Sequence, residues 1–103
     1  MKYEYIYNDN CFYCKIVTPL IDDLIKEGFE FSKHKWVDDR DSKYNKPTPS
    51  ILCEDTFFDS SVILSSFLVY DMYPDKFSFN SRLDVLKFIL KENKPLPLEY
   101  LVD

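Results

Sequence analysis

Two cysteines three positions apart, Cys11 and Cys14, stand where one sequence period gives way to another. Ahead of them, Tyr3-Glu4-Tyr5-Ile6-Tyr7 alternates as a short strand does. Behind them, Lys15 to Lys26 carries Ile16, Val17, Leu20, Ile21, Leu24 and Ile25 at the i, i+3/i+4 spacing of a helix. The chain is therefore expected to pass from strand to helix at the two thiols, with Cys11 at the first helical position. Asn8, Asp9 and Asn10 offer N-caps, and Gly28 offers a left-handed C-cap. Pro19, inside the pattern, is expected to remove one ladder bond and kink the helix. With one Gly and six Pro in the chain, turns must be made from Asn, Asp, Ser and Pro, and the single Gly28 should mark a special backbone position.

The periods that follow predict a strand over Phe29 to Val37, then a solvated loop or short irregular helix at Asp38-Asp39-Arg40-Asp41-Ser42-Lys43. Ser50 to Cys53 is expected to be a third strand, joined by a turn at Glu54-Asp55 to a fourth, Thr56-Phe57-Phe58. Asp59-Ser60-Ser61 is read as the cap of a helix running through Val62, Ile63, Phe67 and Tyr70 to a stop near Pro74. The β-branched and aromatic content there would also suit a hairpin. Ser81 with Asp84 resembles a capping box, and Leu83, Leu86, Ile89 and Leu90 give a last helix ending at Asn93, before Pro95 and Pro97. No repeat, low-complexity tract or linker interrupts the 103 residues, so one domain over 1–103 is expected. Hydrophobic residues at 46% and aromatics at 17% set it apart from disordered chains despite 30% charged residues.

The net charge of −5, with Lys and Arg scattered along the chain, argues against a nucleic-acid partner. No run approaches the roughly 18 apolar residues of a membrane span, and Met1-Lys2-Tyr3-Glu4 does not lead into the apolar stretch of a secretory signal. A soluble monomer with no membrane partner is expected, in the cytoplasm of a cell or of a virus-infected host. In a reducing compartment a C-x-x-C pair is catalytic or metal-binding sooner than structural.

The unpaired N–H groups and positive dipole of a helix N-terminus favour a thiolate on Cys11, and Cys14, one turn on, lies on the same face within reach. Such a thiolate attacks a substrate disulfide, and a nearby second thiol resolves the mixed disulfide. Cys11 is thus the expected nucleophile and Cys14 the resolving thiol, while Lys15 either adds local positive charge or is a plain solvated residue. Zinc needs four ligands, and the other candidates, Cys53 and His34, have no partner at chelating spacing, so no metal is expected. Cys53 reads as a buried small hydrophobe and His34 as a surface strand residue. Asp22 and Asp23, adjacent in a helix, diverge by about 100° and form no dyad; Asp22 is given a supporting role and Asp23 a solvated one. Tyr3, Tyr5 and Tyr7 share one strand face and are expected to pack, whereas Phe12 and Tyr13 lie on the exposed side of the turn as a docking surface.

The string Cys11-x-x-Cys14-Lys15-x-x-x-Pro19-x-x-Asp22 closely resembles the active-site helix of thioredoxins, and Thr48-Pro49-Ser50 resembles the segment of that family in which a cis-proline faces the dithiol. In size and start the chain is more similar to the glutaredoxins, with Tyr13 in the place of the Tyr of C-P-Y-C. Phe12 replaces the Pro of that tetrapeptide, and Tyr5 stands where thioredoxins carry a buried Asp. The resemblance implies an α/β fold of three layers, with a central four-stranded mixed sheet and elements in the order β-α-β-(short α)-β-β-α-α. It implies a thiol–disulfide oxidoreductase acting on a protein or small-molecule disulfide, with glutathione or a reductase as electron donor and no tightly bound cofactor. Thr48 and Pro49 are then expected to join Phe12 and Tyr13 in substrate binding, with Pro47 the competing candidate for the cis position and Pro19 a supporting residue. Asp59 and Ser60 occupy about the place where glutaredoxins hold the glutathione carboxylate. Two further readings stay open: a binding module that turns over little, and a carrier of an iron–sulfur cluster bridged between two subunits.

Overall fold

The computed structural model describes residues 1–54 and 56–97. Asp55, half of the expected turn between the third and fourth strands, lies outside the described residues. The elements run β1 (Lys2–Tyr7), α1 (Cys14–Lys26), β2 (Glu30–Lys35), β3 (Ser50–Cys53), β4 (Thr56–Phe58), α2 (Ser60–Met72), a 3-10 turn (Pro74–Lys76) and α3 (Arg82–Glu92). This is a mixed α/β architecture. The chain divides into two compact units, residues 1–60 and 61–103. Among the described residues no helix is long and apolar enough to cross a membrane.

The first unit is a four-stranded sheet in the order β2-β1-β3-β4. The crossover through α1 makes β1 and β2 parallel, whereas β3 runs antiparallel to both β1 and β4. Alternation along each strand then sorts the side chains. Tyr3 and Tyr5, with their register partners Phe31, Lys33 and Ile51, share the face on which α1 packs. Tyr3 stacks on Phe31 with ring centroids 5.0 Å apart, and the Tyr5 hydroxyl is 2.8 Å from Thr18 Oγ1 of α1. Val17, Ile21 and Leu24, spaced at three and four, are the fully buried stripe of α1, and Lys33 of β2 forms an ion pair with its Asp22. Asp23 is exposed, so the two adjacent carboxylates diverge as their spacing requires. The opposite face carries Glu4, Ile6, Ser32, His34, Ser50 and Leu52. β2 is an edge strand, and Lys33 and Lys35 furnish the charges that discourage pairing with another chain.

Helix α1 runs on through Pro19 and ends in a Schellman motif. The Gly28 N–H bonds to the Ile25 carbonyl and the Phe29 N–H to the Leu24 carbonyl, with Gly28 at φ +102°. At the other end the N-terminus departs from expectation. The helix begins at Cys14 instead of Cys11, with Tyr13 as its N-cap residue, and Asn8, Asp9 and Asn10 do not cap it: the Asn8 side chain accepts the Asp9 N–H. Of the loop or short irregular helix expected between β2 and β3 the loop is found, residues 36–49 being turns, bends and irregular backbone, and the short helix in the element order that the resemblance implied is absent. Local side-chain bonds explain this, since Asp39 Oδ1 accepts the Asp41 N–H and Ser42 Oγ accepts the Tyr44 N–H, occupying backbone donors that a helix would need.

In the second unit the segment that could have been a hairpin is helix α2, burying Ile63, Ser66, Phe67 and Val69. Helix α3 buries Val85, Leu86, Ile89 and Leu90 and stops at Asn93, which takes the left-handed conformation at φ 57°. Arg82 joins the two helices through an ion pair to Asp71 at 2.6 Å, and the buried Ser66 hydroxyl accepts the Leu96 N–H at 3.2 Å. Ser81 is the N-cap residue as expected, but the capping box is not formed: Asp84 accepts the Asn80 N–H, and Ser81 makes no cap bond of its own.

Candidate active site: the Cys11–Cys14 turn

Strand β1 delivers the chain to a tight turn in which the Cys11 N–H bonds to the Asn8 carbonyl. Phe12 and Tyr13 form the crest of the turn, 70% and 49% exposed, their rings edge to face at 5.3 Å. Cys11 is half-buried and Cys14 buried. Their Cα atoms are 5.1 Å apart and their sulfurs stand at disulfide-bonding distance. The expectation that two thiols at this spacing lie within reach therefore holds, with the correction that Cys11 precedes the helix instead of opening it. From that position its sulfur takes over the capping task that Asn8, Asp9 and Asn10 leave undone: the Cys14 N–H points at Cys11 Sγ from 3.1 Å. A donor aimed at the sulfur favours its thiolate.

A second backbone group faces the same sulfur. The Thr48 carbonyl oxygen is 3.5 Å from Cys11 Sγ, within reach to accept from the thiol once the pair is reduced. The cis peptide falls at Thr48–Pro49, not at Pro47, and Pro49 is itself buried, so that the part of this segment that faces Cys11 is the Thr48 backbone. Beside the buried Cys14 opens a shallow cleft of ≈ 400 Å³, lined among others by Tyr7, Asp9, Lys15 and Thr18. Lys15 is exposed on its rim, and Asp9 pairs with Lys35 at 2.6 Å. Pro19 lines the same cleft. Asp59 and Ser60 stand at the junction of β4 and α2, Asp59 just ahead of that helix and Ser60 its first residue.

Two further ionisable side chains, Tyr5 and Cys53, are buried. Tyr5, fully buried, has its hydroxyl pushed up to about 12 by desolvation, so it is a neutral hydroxyl at any ordinary pH. Burial likewise raises the Cys53 thiol, with the nearby Glu54 adding to the effect, and keeps it a small apolar side chain. His34 is not the plain surface residue expected: it is half-buried, stacks on the Tyr44 ring at 4.1 Å and lies 3.6 Å from Glu4. Among the described residues, His, Cys, Asp and Glu side chains form no group of three that could hold a metal ion.

Two residues packed around these groups, Thr18 and Tyr44, are not among those expected from the sequence. Thr18 lies four residues after Cys14 on the same helix face, a spacing that would have found it. Tyr44, which anchors the segment carrying Thr48, has no such signal, because its partner Glu4 is forty positions away. Compared with known proteins, the chain matches no family model, no curated protein sequence and no solved structure.

Proposed function

We propose that the chain is a thiol–disulfide oxidoreductase of the reducing type, built on a thioredoxin-like fold with a glutaredoxin-like layout. The observation that carries this reading is the double reach of Cys11: its sulfur is at bonding distance from that of Cys14 and 3.1 Å from the Cys14 N–H. The β-α-β start, the antiparallel β3–β4 pair and the sheet order β2-β1-β3-β4 support the fold assignment.

In the reaction, the Cys11 thiolate attacks one sulfur of a substrate disulfide, forming a mixed disulfide and expelling the first substrate thiolate, which takes up a proton. Cys14 then loses its proton and attacks Cys11 Sγ, expelling the second substrate thiolate. The substrate gains two electrons and the Cys11–Cys14 disulfide forms, to be re-reduced by glutathione or a reductase. The exposed Phe12 and Tyr13 offer an apolar surface beside the reacting sulfur, which suits a disulfide carried on a polypeptide. Replacing Cys11 by Ser is expected to abolish reduction of a protein disulfide, and replacing Cys14 by Ser to trap the mixed disulfide on Cys11. Wild-type turnover by the Cys11→Ser protein would sink the proposal. The exposure of Phe12 and Tyr13 also suits a binding module; that reading predicts partner binding by Cys11→Ser and no turnover by the wild type.

A further inference from the structure

The Cys11 sulfur has one backbone neighbour on its own turn and one on the segment 36–49, and the second depends on how that segment is held. Connections of this length without secondary structure are uncommon in compact domains and are usually functional. Here one cluster ties it to the sheet face opposite α1. The Tyr44 ring lies flat on His34, with centroids 4.1 Å apart and planes 8° from parallel. Its hydroxyl donates to Glu4 Oε1 at 2.7 Å, and Lys43 joins the same carboxylate oxygen at 3.0 Å. Glu4 and His34 belong to adjacent strands, the central β1 and the edge strand β2, so the anchor is fixed to the sheet itself. From Tyr44 the chain needs only Asn45, Lys46 and Pro47 to reach Thr48, and Asn45 is itself bonded to the Val37 carbonyl at 2.7 Å.

We propose that Tyr44 is a positioning residue for the dithiol: its anchorage on Glu4 and His34 holds the Thr48 carbonyl against Cys11 and so sets how readily the thiolate forms. This rests on the dithiol reading above. The two backbone groups act in opposite senses: the Cys14 N–H donates to the thiolate and favours it, whereas the Thr48 oxygen accepts from the thiol and opposes the charged form. The Ser50 hydroxyl bonds to the Pro47 carbonyl and holds the segment from the β3 side, so loosening the anchor is expected to slacken the opposing group without freeing it and to leave the Cys14 N–H in place.

The test is the pH profile of Cys11 alkylation by iodoacetamide in the reduced 103-residue chain, read on the Cys11 peptide by mass spectrometry. The midpoint is expected to fall from wild type to Tyr44→Phe, which keeps the ring but loses the hydroxyl, and further in Tyr44→Ala, by about 0.5 to 1 unit in all, or some three- to tenfold more thiolate below the midpoint. A mere gain in access would raise the rate at every pH and leave the midpoint in place; that result, or a midpoint that rises, overturns the proposal. Glu4→Gln keeps an acceptor for Tyr44 while removing the charge, so its midpoint should stay near wild type. A shift equal to that of Tyr44→Ala would assign the effect to the Glu4 charge and overturn the proposal too. If Tyr44→Ala does not fold, Tyr44→Phe and Glu4→Gln decide. Absence of wild-type disulfide exchange sinks the dithiol reading itself, whereas wild-type exchange with an unmoved midpoint sinks only the role of Tyr44.

Discussion

At the scale of single residues, the three cysteines are separated by their surroundings more than by their spacing. Cys11 is half-buried with a donor aimed at its sulfur, Cys14 is buried beside a cleft, and Cys53 is buried in the sheet with its thiol raised by desolvation. In the native reduced protein, iodoacetamide should therefore label Cys11 first and leave Cys53 unmodified until denaturant is added, which peptide mass spectrometry will read. Equal labelling of Cys11 and Cys53 would contradict this. Tyr5 tests the packing beneath the site. Tyr5→Phe removes the bond to Thr18 and should cost about 1 kcal/mol in urea unfolding at pH 7. The folded-state value of about 12 lies above the free tyrosine's 10, so the stability contributed by the neutral hydroxyl is complete below pH 10 and lost between about 10 and 12. Tyr5→Phe should flatten that alkaline limb.

At the scale of elements, what the sequence reveals depends on whether the signal is local. β1, β3, β4, α1 and α3 follow from apolar patterning and from the turn residues that bound them. α2 is ambiguous because Val62, Ile63, Leu64, Phe67, Leu68 and Val69 place apolar residues around the whole helix, leaving no stripe to read. The caps are where reading fails: Asn8 and Ser81 are of the right type, yet the first bonds its neighbour and the second makes no cap bond. A sulfur serving as the acceptor for the first turn of α1 has no place in the usual ranking of caps. The two thiols were legible in the sequence, but the tie of Tyr44 to Glu4 and His34 was not, since it depends on the register of β1 and β2. Gly28 is the clearest local prediction. No atom lies within 4 Å of where its Cβ would stand, so Gly28→Ala meets backbone strain alone. It should lower stability by about 1 kcal/mol, seen as a reduced urea midpoint with an unchanged m-value. An unchanged midpoint would show that the left-handed C-cap does not matter.

At the scale of the whole molecule, acid stability has an identifiable contributor. Glu4 is held below the usual carboxylate range, first by the Tyr44 hydroxyl and then by Lys43 and His34. A depressed carboxylate stabilises the fold above its unfolded value, about 4.3, and that contribution is lost as pH falls through the folded value. Glu4→Gln should be less stable than wild type at pH 7, with the difference closing as the pH falls below 4. The central claim is that Cys11 and Cys14 form one two-electron redox couple. Its most direct test is equilibration of the 103-residue chain in glutathione and dithiothreitol buffers of graded potential, with acid quenching and mass spectrometry of the thiol peptides. The account predicts a single reversible transition in which Cys11 and Cys14 oxidise together while Cys53 stays reduced, the ratio of the two forms changing tenfold per about 30 mV. Thiols that remain reduced throughout, or that yield only glutathione adducts or linked dimers, would contradict it.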